Sequence, residues 1–104
     1  MAIYELREYT SLPLLHRKQA ELVGKAKPLF EKAGIEFIGA WNNVVGRNQL
    51  TRYILKYDSL GDREVKWAKF VADPEVWALI KEYGPVSMFE DNAIMQPLEY
   101  SPLQ

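Results

Sequence analysis

Apolar and polar positions alternate along Ile3-Tyr4-Glu5-Leu6-Arg7-Glu8-Tyr9-Thr10, which sets Glu5, Arg7 and Tyr9 on one side of an extended strand and Tyr4 and Leu6 on the other. A half-covered strand ordinarily has an apolar face and a solvated face. Here one face is largely apolar and the other carries an acid, a cation and a phenol, the composition of a polar lining to an enclosed space. After Ser11 and Pro13 the period turns helical: Leu15, Leu22, Val23, Ala26, Leu29, Phe30 and Ala33 share one side until Gly34 supplies a stop. Pro28 falls inside this helix and is expected to kink it or divide it in two.

Ile35 to Val45 reads as a strand, with Phe37, Gly39, Trp41, Asn43 and Val45 on one face. Gly46-Arg47-Asn48 gives a short turn, and Gln49 to Tyr57 returns as the hairpin partner, with Thr51, Tyr53, Leu55 and Tyr57 on one side. Ser59 followed by Asp62 has the spacing of a capping box and opens a helix through Trp67, Phe70 and Val71. Asp73-Pro74 opens the next, an N-cap before proline at the first helical position, and Gly84-Pro85 ends it. Trp67, Phe70, Trp77, Leu79 and Ile80 are expected to seal these helices to the sheet. A last strand runs from Val86 to Gln96, and the tail over Glu99 to Pro102 reads as extended surface chain.

The order β, α, β, β, α in two pieces, β, with right-handed crossovers, predicts an α+β ferredoxin-like βαββαβ fold in a single domain over residues 1–104. Its four-stranded antiparallel sheet has the first strand central and the helices on one face. The other face would expose more apolar and aromatic surface than soluble monomers tolerate, so a second copy is expected to cover it, giving a homodimer with a closed α/β barrel. A chain of 104 residues buries only about two-thirds of its unfolded surface, which also favours a partner.

Thirteen basic and fourteen acidic residues leave a net charge of -1, so nothing favours nucleic acid or an anionic membrane. The chain has no cysteine, which removes disulfides and thiolate chemistry. No apolar run is long enough for membrane insertion, and the first dozen residues, with Glu5, Arg7 and Glu8, do not read as a signal peptide. A soluble cytoplasmic protein is the expectation. No nucleophile elbow, phosphate loop or dinucleotide fingerprint occurs. With one histidine, a metal would need clustered carboxylates, and Asp58 with Asp62, or Glu90 with Asp91 and Asn92, read instead as caps, turns and strand pairing. His16, the only residue pointing toward a haem, falls on the polar side of the first helix, so no metal and no cofactor is expected. Tyr53 and Tyr57 share a strand as in RNA-stacking platforms, but without the basic surface or glycine-aromatic signature they read as core.

Ile3-Tyr4-Glu5-Leu6-Arg7-Glu8-Tyr9, the Gly39-Ala40-Trp41 step, Tyr57-Asp58-Ser59-Leu60-Gly61-Asp62-Arg63, Asp73-Pro74-Glu75-Val76-Trp77 and Glu90-Asp91-Asn92 with Ser101-Pro102 resemble the NIPSNAP family over essentially the whole chain. The resemblance implies a ferredoxin-like protomer in a dimeric α/β barrel, within a superfamily of cofactor-independent monooxygenases, haem-degrading proteins, isomerases and decarboxylases. It implies no particular reaction and no catalytic residues. Where members often carry an aromatic two residues before the tyrosine ending the third strand, this chain has Leu55.

The candidate catalytic residues are Glu5, Arg7 and Tyr9, with Trp41 and Asn43 as substrate-binding residues if their face also points into the barrel. Arg7 suits a carboxylate, enolate or phenolate. Glu5, its pKa raised by a dry interior though pushed back by Arg7, suits a proton acceptor. Trp41 suits stacking on a flat substrate, and Asn43 suits orienting a carbonyl or dioxygen. The competing reading makes Glu5 and Arg7 a hydrogen-bonded ladder that fixes sheet register. The function expected is therefore binding of a small aromatic or enolisable molecule, with cofactor-independent monooxygenase- or isomerase-like chemistry if the protein is an enzyme. The alternative is a non-catalytic interaction or sensing module whose barrel is only a dimer interface.

Overall fold

The computed structural model describes residues 2–104. Its elements are β1 (Ile3–Ser11), α1 (His16–Lys32), β2 (Glu36–Asn42), β3 (Leu50–Tyr57), α2 (Leu60–Ala72), α3 (Pro74–Tyr83) and β4 (Ser87–Met95). All strand pairs are antiparallel and the sheet order is β2-β3-β1-β4, the ferredoxin-like arrangement the pattern predicts. Glu5 pairs with Leu55 and Ile94, Arg7 with Tyr53 and Asn92, and Tyr9 with Thr51 and Glu90, so these residues share one face of the sheet.

That face is the one the helices cover. Phe30 of α1 stacks on Phe70 of α2 at 4.2 Å between ring centroids and reaches Tyr53 of β3 at 5.7 Å. Val23, Ile35, Leu55 and Val76 complete a continuous apolar core around them. The expectation that Glu5, Arg7 and Tyr9 line a space on the helix-free face is thus corrected: they lie beneath the helices. The reason is the register of β3, whose Tyr53, Leu55 and Tyr57 form the floor of the core and carry their β1 partners to the same side.

Local chemistry sets the helix ends. The Ser59 Oγ accepts from the Asp62 amide at 3.0 Å, and the Asp62 carboxylate reaches back to the Asp58 amide at 2.9 Å. Asp73 caps α3 by accepting from the Glu75 amide, with Pro74 behind it. Ser59→Ala is expected to lower stability by about 1 kcal/mol, seen as a lower urea midpoint with an unchanged slope; an unchanged midpoint would mean that Asp62 alone holds this start.

Several boundaries differ from the pattern. β1 runs on to Ser11, because the Ser11 and Leu12 amides donate to the Gln49 and Val86 carbonyls, and Leu14 then turns the chain at φ 68° before α1 begins at His16. α1 stays a single helix through Pro28; Gly24, whose carbonyl loses its bond there, is exposed, so water can satisfy it. In β2 the register shifts between Phe37 and Gly39. Phe37 therefore packs on Phe30 and Tyr53, while Gly39 and Trp41 turn to the helix-free face. Trp41 lies over Gly39 so closely that a Cβ there would sit 2.8 Å from its ring, which explains the glycine. Residues 96–104 fold back over part of the helix-free face, where the Tyr4 hydroxyl donates to the Gln104 carbonyl at 3.2 Å.

Candidate ligand site between the sheet and the helices

Glu5 has no exposed surface, and its carboxylate accepts five hydrogen bonds. Arg63 of α2 grips it with two, Nε to Oε1 and Nη2 to Oε2, both at 3.0 Å. Arg7 Nη1 donates to Oε2 at 2.8 Å, Asn92 Nδ2 donates to Oε2 at 3.0 Å, and the Tyr57 hydroxyl donates to Oε1 at 3.1 Å. Burial alone would raise the Glu5 pKa, but the hydrogen bonds from Arg63 and Asn92 and the charges of Arg7 and Arg63 outweigh it and hold the carboxyl at about 2. Glu5 is therefore a saturated anion that ties helix α2 to the middle of the sheet. The expectation of a raised pKa suited to a proton acceptor is corrected, because the sequence pattern showed one cation beside Glu5 and the fold brings two.

Arg7 faces the other way as well. Its Nε–H is shared between the Tyr9 hydroxyl at 3.0 Å and the Tyr53 hydroxyl at 3.1 Å, and the two hydroxyls are 2.7 Å apart. The guanidinium lies 4.8 Å above the Trp67 ring, and that of Arg63 lies 5.4 Å from it. Burial pushes the Tyr53 phenol well above its ordinary pKa, so it is protonated at neutral pH. Tyr57, buried and beside the Glu5 carboxylate, is raised in the same direction.

Arg7, Tyr9 and Tyr53 form the polar end of a cavity of about 240 Å³. Its walls are apolar, supplied by Leu22, Ala26 and Leu29 of α1, Trp67 and Phe70 of α2, and Trp77 and Ile80 of α3, with Glu90 of β4 beside them. Trp77 is 56 % exposed and Ile80 is exposed too, so the expectation that both seal a helix to the sheet is corrected. α3 packs mainly on α1 and α2 rather than on the strands, which leaves these side chains at the cavity instead of within the core.

The five residues expected to act together divide between two faces. Glu5, Arg7 and Tyr9 are brought together beneath the helices. Trp41, together with Ile38 and Ile54, borders a separate cavity on the helix-free face. Asn43 lies past the end of β2, where its Nδ2 donates to the Arg47 carbonyl at 3.0 Å, beside Glu8 and Arg52 of the helix-free face. Arg63, Asn92, Tyr53 and Trp67 complete the arrangement around Arg7, and pattern reasoning did not select them for it. Their only sequence signal is position: Tyr53 and Asn92 become the cross-strand neighbours of Arg7 once the register is known.

His16 is half-buried at the first position of α1, and its Nδ1 is shielded without a hydrogen-bond partner among the described residues. Tyr53 and Tyr57 are buried, so neither offers an exposed stacking surface. Among the described residues, no group of three or more histidine, aspartate or glutamate side chains is placed to hold a metal ion, and no helix is long and apolar enough to cross a membrane.

The strand order, the one-sided helices and the overall path of the chain define a ferredoxin-like α+β domain. A mutant of SnoaB, a cofactor-independent oxygenase from Streptomyces nogalater, superposes with a TM-score of 0.66 at 8% identity over 97% of both chains. A NIPSNAP family protein from Agrobacterium tumefaciens matches more closely, with a TM-score of 0.91 at 23% identity over 100% of both chains. An uncharacterised NIPSNAP-like domain protein from Burkholderia xenovorans gives 0.87 at 23%, covering 97% of this chain and 89% of its own. Comparison with curated proteins yields no match. The NIPSNAP family profile spans residues 4–102, and the chain belongs to that family.

Proposed function

We propose that this protein is a homodimer that binds a small, flat, partly apolar molecule in the cavity between its helices and its sheet. The observation that carries this reading is the geometry at the cavity's polar end, where one guanidinium bridges two phenol hydroxyls that open onto apolar walls. Such a site suits cofactor-independent turnover of an aromatic or enolisable substrate. Arg7 would stabilise an oxyanion as it forms, and a tyrosine hydroxyl would hydrogen-bond the same oxygen. Glu5, held anionic by two guanidiniums, is a poor base, so proton abstraction would fall to Glu90 at the cavity or to water. The likeness to SnoaB adds a parallel at the level of fold.

The dimer is proposed through the helix-free face. Ile38, Ile54 and Met95 lie there, with Trp41 about half exposed and Phe89 more so. Among the described residues no helix covers that face, and residues 96–104 shield only part of it. A cytoplasmic setting fits a chain without cysteine.

Native mass spectrometry tests both parts at once. A dimer carrying a stoichiometric small molecule, released on denaturation, is the expected spectrum. A ligand-free dimer that also fails to take up added aromatic ligands would favour the interaction-module alternative, and a monomer would overturn the barrel.

A further inference from the structure

The positions of hydrogens at the cavity's polar end restrict what it can hold. The Arg7 Nε–H points between the Tyr9 and Tyr53 oxygens, so each phenol accepts from the guanidinium. The hydroxyls are 2.7 Å apart, and only one proton fits between them, whichever tyrosine supplies it. The second hydroxyl proton is left without an acceptor among the described residues. The pair therefore keeps one uncommitted donor on two residues that line the cavity, beside a guanidinium that has donors only.

Charge points the same way. Arg7 and Arg63 share one carboxylate, that of Glu5, which leaves one unit of positive charge in a mostly buried cluster. Side-chain exposure is 14% for Arg7 and 25% for Arg63, so water screens this surplus poorly. Glu90 borders the cavity but forms no ion pair with either arginine among the described residues. Size sets the remaining limit. A cavity of roughly 150 Å³ holds benzene, and sites for drug-sized ligands begin near about 300 Å³. The 240 Å³ here fits a body of one or two rings.

We infer that the cavity selects an anionic oxygen, a carboxylate or an enolate or phenolate, carried on a one- or two-ring apolar body, and discriminates against the neutral analogue of the same shape. Resting on the cavity being a ligand site at all, this names the class of ligand it takes. One consequence is specific to the shared proton. When either tyrosine becomes phenylalanine, the other no longer has a phenol to donate to, and its proton is free for the ligand. Single substitutions should therefore cost far less than the double one.

The experiment is isothermal titration calorimetry of the full chain with 2-naphthoate, its neutral analogue 2-naphthamide, and 4-nitrophenol above and below its own pKa. The naphthoate and nitrophenol arms separate a carboxylate site from a phenolate or enolate site. At least one anion is expected to bind about tenfold or more tightly than its neutral counterpart. Tyr9→Phe and Tyr53→Phe should each lose less than about threefold of that preference, and the double variant should lose clearly more than the two single losses together, keeping only what the arginine charge supplies, while still binding 2-naphthamide, which reports an intact cavity. Equal affinity for anion and neutral form would overturn the anion selection and leave the cavity reading standing; a double variant that keeps the full preference would overturn the tyrosine donor and leave the selection to the arginine charge alone. Failure of every probe to bind would overturn the cavity reading and this inference together.

Discussion

Replacing Glu5 with alanine is expected to cost about 3–5 kcal/mol of unfolding free energy, a large part of the 5–15 kcal/mol that a domain of this kind ordinarily has. The carboxylate has no exposed surface and accepts five hydrogen bonds, three of them from the guanidiniums of Arg63 and Arg7. Its loss leaves two positive charges facing each other without a counter-ion and strands the Tyr57 hydroxyl and the Asn92 amide. It also cuts the tie between α2 and β1. Arg63→Ala should cost clearly less, because Arg63 is partly solvated and Glu5 keeps Arg7, Tyr57 and Asn92. Urea unfolding followed by circular dichroism measures both, and Glu5→Gln, which keeps the shape, serves if the alanine variant does not fold. Should both Glu5 variants lose under about 1 kcal/mol, the cluster would be no anchor.

Acid should unfold the protein through the same group. The Glu5 carboxyl moves from 4.5 to about 2 in the folded state, burial opposing the shift and the partners Arg63, Asn92 and Arg7 prevailing. A carboxyl lowered on folding contributes stability that is complete above its unfolded pKa and is lost as the pH falls through the folded one. The window is therefore pH 4.5 down to about 2, and at 1.36 kcal/mol per pH unit the loss approaches roughly 3 kcal/mol. Asp62 and Asp73 are also lowered, chiefly by the Asp58 and Glu75 amides, and act in the same sense from half-buried positions. The gap between wild type and Glu5→Gln isolates the buried group. It should narrow steadily as the pH falls from 4.5 toward 2; a gap that stays constant across that range would mean the carboxyl titrates as it does in the unfolded chain.

Much of the architecture can be read along the chain. Alternation in β1 and β3, the cap chemistry of Ser59, Asp62 and Asp73, and the element order together specify the ferredoxin-like sheet. The family is legible too, since its segments run in order from Ile3 to Pro102. The candidate site was half legible. Arg7 and Tyr9 stand out along the chain because a strand with a charged and phenolic face needs an explanation, and both line the cavity. Unbroken alternation through β2 would put Trp41 and Asn43 on that same face. A single shifted residue between Phe37 and Gly39 reverses the faces beyond it, and no residue type in that stretch announces the shift.

What the sequence by itself determined is the set of elements, their order and the polar stripe of β1, because these depend on periods and caps that neighbouring residues set. Which face of the sheet the helices cover, that Arg63 and Asn92 converge with Arg7 on one carboxylate, and that Tyr53 shares the Arg7 proton with Tyr9 were decided only by the tertiary structure. Those partners lie between 46 and 87 residues along the chain from the Glu5 or Arg7 they bind. The protonation of Glu5 turns on the difference between a large desolvation cost and several close donors, and the sign of that difference is fixed by distances that exist only in the packed fold.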